Sequence, residues 1–244
     1  MKQSTVGCPL IWATFVFITA TAGCREKKQT NEQHPVDSTQ STTPVMESTI
    51  VTTPANMVVF VHKVGNYNKW KIAYDAHDSF RLAHGLHNYV IGRSLFDSNT
   101  VMVALKADDM AKAKAFAASA DLKNVMHRAG VTGTPETYFV LATWQDTSEV
   151  GRLPRSMTTL KVKDWNSWLK NFQEGAQERI ENGIKARLVG HDPDDLTKVS
   201  IVSAIEDTSK AFAYFRSEVL KKRMESAGVV GNPNRRLFQF VQRY

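Results

Sequence analysis

From Val58 onward the apolar positions follow two rhythms that take turns along the chain. VVFVHKV, beginning at Val58, is a β-branched run that predicts a strand. Asn66 stands where a helix N-cap is wanted, and aromatic residues follow at helical spacing until Gly85 ends the helix. LHNYVIGR alternates as a second strand, and TVMVALK predicts a third. Asp109 caps a second helix whose apolar positions include Met110, Ala113, Phe116, Leu122 and Met126. Gly130 stops it, the segment AGVTGTP reads as a loop, and TYFVLATW is a fourth strand. The order βαββαβ predicts a four-stranded antiparallel sheet with both helices on one face.

The pattern then starts again. AGVTGTP from Ala129 returns as AGVVGNP from Ala227, an offset of 98, and the offset carries Lys63-Val64 onto Lys161-Val162, Trp70 onto Trp168, Arg81 onto Arg179 and Gly92 onto Gly190. Sliding residues 57–146 over 155–244 pairs 90 positions without a gap, and 22 are identical. Unrelated chains of ordinary composition would share about five. The expected organisation is a first repeat over 57–146, a connector over 147–154 and a second repeat over 155–244. One sheet face of each repeat lacks helices, and the cheapest cover for it is the sister sheet. The expected state is therefore a monomer whose halves form an intrachain pseudo-dimer.

Residues 1–56 belong to neither repeat. Lys2 followed by PLIWATFVFITATA reads as an export signal, too short for a comfortable membrane span. It ends in TAGC, which resembles the lipobox of bacterial lipoproteins, with cleavage after residue 23 and lipidation of Cys24. Ala20-Thr21-Ala22 also satisfies an ordinary secretory cleavage pattern. The only other cysteine is Cys8, so neither repeat can hold a disulfide. Residues 24–56, rich in Ser, Thr and Pro, read as a disordered tether. Such a protein is expected in the bacterial cell envelope, lipid-anchored, in the periplasm or at the outer membrane, with the membrane as a partner. The formal net charge is +7, with the excess in the second repeat, partly at Lys221-Lys222-Arg223 and Arg235-Arg236. Without exposed aromatics interleaved, such clusters read as solvated helix faces, and no nucleic-acid partner is expected.

KV followed by aromatics at helical spacing, Arg81, Gly85-Leu86, FA-x-S-x-x-L and AGV-x-G-x-P together resemble the dimeric α/β-barrel superfamily, and more narrowly the antibiotic-biosynthesis-monooxygenase-like proteins. The resemblance covers residues 57–244. It implies an α+β fold of two ferredoxin-like repeats packed sheet to sheet, here within one chain. Members include cofactor-independent oxygenases, lactone isomerases, haem enzymes and binders without known chemistry. The implied function is binding, and in an enzyme turnover, of a small apolar or aromatic molecule; an enzyme would be a cofactor-independent monooxygenase or isomerase. The alternative is a noncatalytic envelope interaction module.

Superfamily pockets lie between the first helix and the sheet, which directs attention to one helical stripe. At about 100° per residue, Trp70, Tyr74, His77 and Arg81 share an arc of about 60°. A neutral His77 can take an acidic substrate proton while Arg81 holds the resulting oxyanion; Trp70 and Tyr74 would contact the ligand. In a structural alternative, His77 bonds a neighbour and Arg81 pairs with a carboxylate near the helix end. The matching stripe, Trp168, Phe172, Gly175 and Arg179, has no imidazole. His87 and Tyr89, by alternation, point toward the sister sheet, where they would line a second pocket. His77, His84 and His87 are too widely spread for one coordination sphere, so no metal is expected, and no cofactor motif is present.

Overall fold

The computed structural model describes residues 48–244. The export signal, Cys24 and the tether up to residue 47 lie outside the described residues. The elements are β1 (Ile50–Val51), β2 (Ala55–Val64), α1 (Tyr67–Ala76), α2 (Asp78–Ala83), β3 (Leu86–Ser94), β4 (Thr100–Ala107), α3 (Met110–Ala118), α4 (Ala120–Arg128) and β5 (Val131–Asp146). The second repeat follows with β6 (Arg155–Val162), α5 (Trp165–Glu174), α6 (Ala176–Glu181), β7 (Ile184–His191), β8 (Lys198–Ile205), α7 (Thr208–Phe215), α8 (Glu218–Ser226) and β9 (Val229–Arg243).

Each helical run starts where a short polar side chain can satisfy free backbone N–H groups. Asn66, Asp109, Asp164 and Asp207 accept from the backbone N–H three residues on, at 2.7–3.0 Å. Each run is also broken once, which the sequence reading did not anticipate. The first breaks at His77 (φ −100°, ψ 20°) and its sister at Gly175. The second breaks at Ser119 and Ser217, whose hydroxyls accept from Leu122 N and Leu220 N at 3.1 Å and so cap α4 and α8. The serine and leucine of FA-x-S-x-x-L are thus a helix restart.

The strands are antiparallel to their neighbours in the order β5–β2–β4–β3–β9–β6–β8–β7, and β7 pairs back to β5. The ring is closed. One seam joins β3 to β9, from Val90 opposite Arg243 to Ser94 opposite Phe238. The other joins β5 to β7, from Leu141 opposite His191 to Gln145 opposite Leu188. The sister sheets therefore meet by edge hydrogen bonding as well as by their faces, which leaves no free strand edge around the ring.

Two expectations are corrected here. AGVTGTP is not a loop: β5 already pairs at Val131 with Val64, and Gly133 (φ 72°) opens a bulge before pairing resumes at Glu136 opposite Val61. Gly231 (φ 70°) does the same in β9. A glycine in the left-handed region and a proline without an N–H suit a bulge, which is why GTP and GNP recur. The tether, expected to run to residue 56, gives way to strand at Ile50, where Ile50 and Val51 pair with Asp146 and Gln145. Composition suggested disorder, but Ile50, Val51 and the neighbouring threonines are β-branched, and the long β5 offers them a partner.

Alternation divides the buried side chains into layers. On β2, Val58, Phe60 and Val64 join Trp70, Leu86, Leu105 and Phe116 beneath the helices. Met57, Val59 and Val61 face the lumen with Val90, Met102, Met157 and Phe238. Under the helices of the second repeat the core is in two clusters, around Trp168 and around Tyr214. Thr158 and Ser203 stand where the first repeat has Phe60 and Leu105.

Candidate functional site

The four stripe residues line one cavity of about 50 Å³ between the helices and the sheet of the first repeat. Trp70, 3% exposed, stacks on Tyr74 with ring centroids 5.1 Å apart. The Tyr74 hydroxyl donates to Asn88 Oδ1 at 2.5 Å, and burial raises its pKa well above the usual phenol range. Arg81 lies 3.8 Å over the Tyr74 ring and donates to Asn88 Oδ1, to the Tyr74 carbonyl and to Asp78 at 3.0, 2.8 and 3.2 Å. Asn88 donates in turn to Asp78 at 2.5 Å. Arg81 is thus engaged at all three guanidinium nitrogens, and its geometry suits holding Tyr74 in place rather than receiving an oxyanion. His77 sits at the helix break with its ring on the cavity wall, and it does not cap α2.

The residue with free chemistry is His62. It follows Val58 and Phe60 on the helix-facing side of β2, is 6% exposed, and lies 5.6 Å from the Trp70 ring on the cavity wall. Neither ring nitrogen has a hydrogen-bond partner, and among the described residues it is the one histidine whose unbonded nitrogens are both buried. Burial alone pushes its pKa down to about 4, so at neutral pH it is an uncharged imidazole. The β5 bulge lies opposite it, so the ladder with β5 skips His62. The sequence carried the signal: within VVFVHKV the alternation puts His62 on the same side as Val58 and Phe60, and its match in the second repeat is Leu160.

The second repeat keeps a pocket of about 90 Å³ with different chemistry. The guanidinium of Arg223, paired with Glu178, fills the space beside Gly175: a side chain there would meet Arg223 at 3.0 Å. Arg179 stacks 3.6 Å over Phe172 as Arg81 does over Tyr74. Arg235 lies 3.8 Å over Phe215 and bonds the Thr158 hydroxyl. Burial, first among the causes, lowers the pKa of both Arg179 and Arg235 to about 10. The pocket has exchanged imidazole for guanidinium.

Of the two residues expected to line a second pocket toward the sister sheet, Tyr89 does and His87 does not. His87 is exposed at the barrel rim with Nε2 3.0 Å from both Asp108 oxygens. Tyr89 faces the lumen, as alternation from Leu86 requires, with the Lys106 ammonium 4.9 Å from its ring, and the register shift between Asn88 and Val90 brings Val90 to the same face.

No protein-family model and no curated protein sequence matches the chain. Solved structures do. A proposed monooxygenase from Fusobacterium nucleatum subsp. nucleatum aligns with a TM-score of 0.52 at 12% identity, over 79% of this chain and 94% of its own. An anthrone oxidase-like protein aligns at 0.54 and 13%, over 79% and 94%. A proposed chlorite dismutase aligns at 0.51 and 14%, over 78% and 96%. The fold is the dimeric α/β barrel. At such identities the likeness is one of architecture. Haem, which the resemblance associates with some members, does not fit either of the two pockets just described: about 50 and 90 Å³ is far below what a tetrapyrrole fills.

Proposed function

We propose that the first-repeat pocket binds a small apolar or aromatic molecule carrying a weakly acidic proton, and that His62 is the base that accepts it. The observation that carries this is the buried, unbonded, neutral imidazole on the wall of a cavity. A buried unpaired polar group costs about 1–3 kcal/mol. Leucine fills the same position of the sister repeat, so packing does not demand histidine. His77 is the second proton carrier at the cavity wall, and Arg81 positions Tyr74. Proton removal is the step shared by isomerisation and cofactor-free oxygenation of an acidic carbon. At about 50 Å³ the cavity holds little more than a water or two, so a ring enters by displacing the flexible Met126 side chain. A series from phenol to anthrone, titrated while the His62 imidazole resonances are followed by NMR, tests the reading. Saturable shifts at His62 are expected with at least the smaller members; none with any member would defeat it.

The same proposal places the barrel in the bacterial envelope, anchored through lipidated Cys24. Two or more acyl chains, at about 0.8 kcal/mol per buried methylene, hold a protein at a membrane durably. Cys24→Ser is therefore expected to move the protein from the membrane to the soluble fraction, with loss of labelling by a fatty-acid probe. Unchanged membrane retention would contradict the anchor.

A further inference from the structure

Eight strands make a lumen that side chains can just fill, or that can hold one small ligand. Here it is not filled. A cavity of about 450 Å³ lies within the ring and opens at the end where β2 and β6 begin, bordered by Thr53, Pro54 and Thr147. Its wall is largely apolar and includes Met57, Met102 and Met157. Unbranched thioether side chains adapt to the shape of an occupant better than branched ones.

One end of the cavity is cationic, and its charges are not equally compensated. Arg187 pairs with Asp146 at 2.8 Å. Arg155, which shares a strand face with Met157, is 2% exposed, and no Asp or Glu among the described residues forms an ion pair with it. Its guanidinium donates only to the carbonyls of Leu153 and Gly151. Glu149 acts on it from farther off and is held by the backbone N–H groups of Gly151 and Val150 at 2.7 and 3.1 Å. Burial first, then Arg243 and Arg187, push the Arg155 pKa down to about 10. A buried cation with no ion-pair partner, beside an unfilled apolar volume, gains from an anion that joins it.

We propose that the lumen is a second ligand site, for a small amphiphilic carboxylate whose alkyl chain lies among the three methionines and whose carboxylate is received by Arg155. A guanidinium and a carboxylate match in a planar, two-bond geometry, and about 450 Å³ lies in the range of small-molecule pockets. The site is separate from the helix–sheet pocket, since it lies on the opposite face of the sheet from His62.

Calorimetric titration of dodecanoate into the full chain, with 1-dodecanol as the uncharged control, tests the proposal. One saturable equivalent of dodecanoate is expected. Arg155→Met should weaken dodecanoate by about tenfold or more and leave 1-dodecanol unchanged. Val202→Trp, which fills the lumen from β8, should remove both, and His62→Leu should alter neither. Absence of saturable dodecanoate binding, or equal affinity in Arg155→Met, overturns the proposal. If Arg155→Met does not fold, Val202→Trp decides: dodecanoate binding that survives a filled lumen overturns it, and binding lost with the fold intact supports it.

Discussion

His62→Leu is expected to stabilise the protein, flatten its response to acid and weaken ligand binding in the first-repeat pocket. The substitution installs what the second repeat already has, Leu160 packed near Trp168. It removes a buried imidazole with two unsatisfied nitrogens, which favours the folded state by about 1–3 kcal/mol. The acid response follows from linkage. In the unfolded chain His62 titrates near 6.5, and in the fold near 4. Between those values the unfolded chain binds the extra proton, so stability falls as pH falls through that window and is unaffected by His62 above it. At about 1.4 kcal/mol per unit, the loss comes to about 3 kcal/mol. Urea denaturation of both proteins from pH 7.5 to 4 measures it. The wild type should lose stability faster than the variant below pH 6.5; parallel curves would mean that His62 is not the buried neutral group described. The same variant should weaken any ligand bonded to the imidazole by about 1–3 kcal/mol without disturbing Tyr74, Asn88 and Arg81.

Gly190→Ala should damage the fold far more than Gly92→Ala, although the two glycines occupy matching positions. Gly190 pairs with Ala142 at the β5–β7 seam, and a Cβ there would stand 2.4 Å from the Leu141 carbonyl oxygen and 2.9 Å from Ala142 Cα. Those are backbone atoms, so relief requires parting the strands. At Gly92 the contacts are 3.2–3.3 Å; those with Met102 Cε and Phe240 Cδ1 are side-chain ends that can turn aside, and the third, with Phe238 Cβ, needs a shift of only a few tenths of an ångström. A loss of about 3 kcal/mol or more is expected for Gly190→Ala and about 1 kcal/mol for Gly92→Ala. Opening the seam also frees two strand edges, so the first variant should self-associate in light scattering. Equal denaturation midpoints for the two variants would show that the seam is looser than the backbone spacing indicates.

Much of this architecture was legible because it rests on local chemistry. The caps at Asn66, Asp109, Asp164 and Asp207, the helix ends at Gly85 and Gly183, and the alternation of β2 and β3 each depend on a few adjacent residues. The gapless repeat then supplied the two-fold arrangement. Features set by distant partners were not legible. β5 runs to sixteen residues because β2, β1 and β7 all pair along it, and the bulge at Gly133 looks like a turn in a window that lacks those partners. For the site, helical spacing found Trp70, Tyr74, His77 and Arg81 but said nothing of hydrogen-bond saturation. Arg81 is engaged by Asp78, Asn88 and the Tyr74 carbonyl, and only their folded positions reveal it. His62 lay in plain view within a strand, where one imidazole among valines reads as a tolerated exception until its register is matched with Leu160.

Joining both seams within one chain also changes how the protein can evolve. A homodimeric barrel accepts every substitution twice, so an unfavourable group introduced into one pocket enters the other as well. Here a mutation falls on one side only. A buried histidine that lowers stability by a few kcal/mol is carried once, while the opposite half is free to recruit Arg223 and Arg235. Stability on the order of 5–15 kcal/mol tolerates one such group far better than two. Two unlike halves held in one chain are in effect a permanent heterodimer that cannot exchange subunits, and selection can act on each pocket alone.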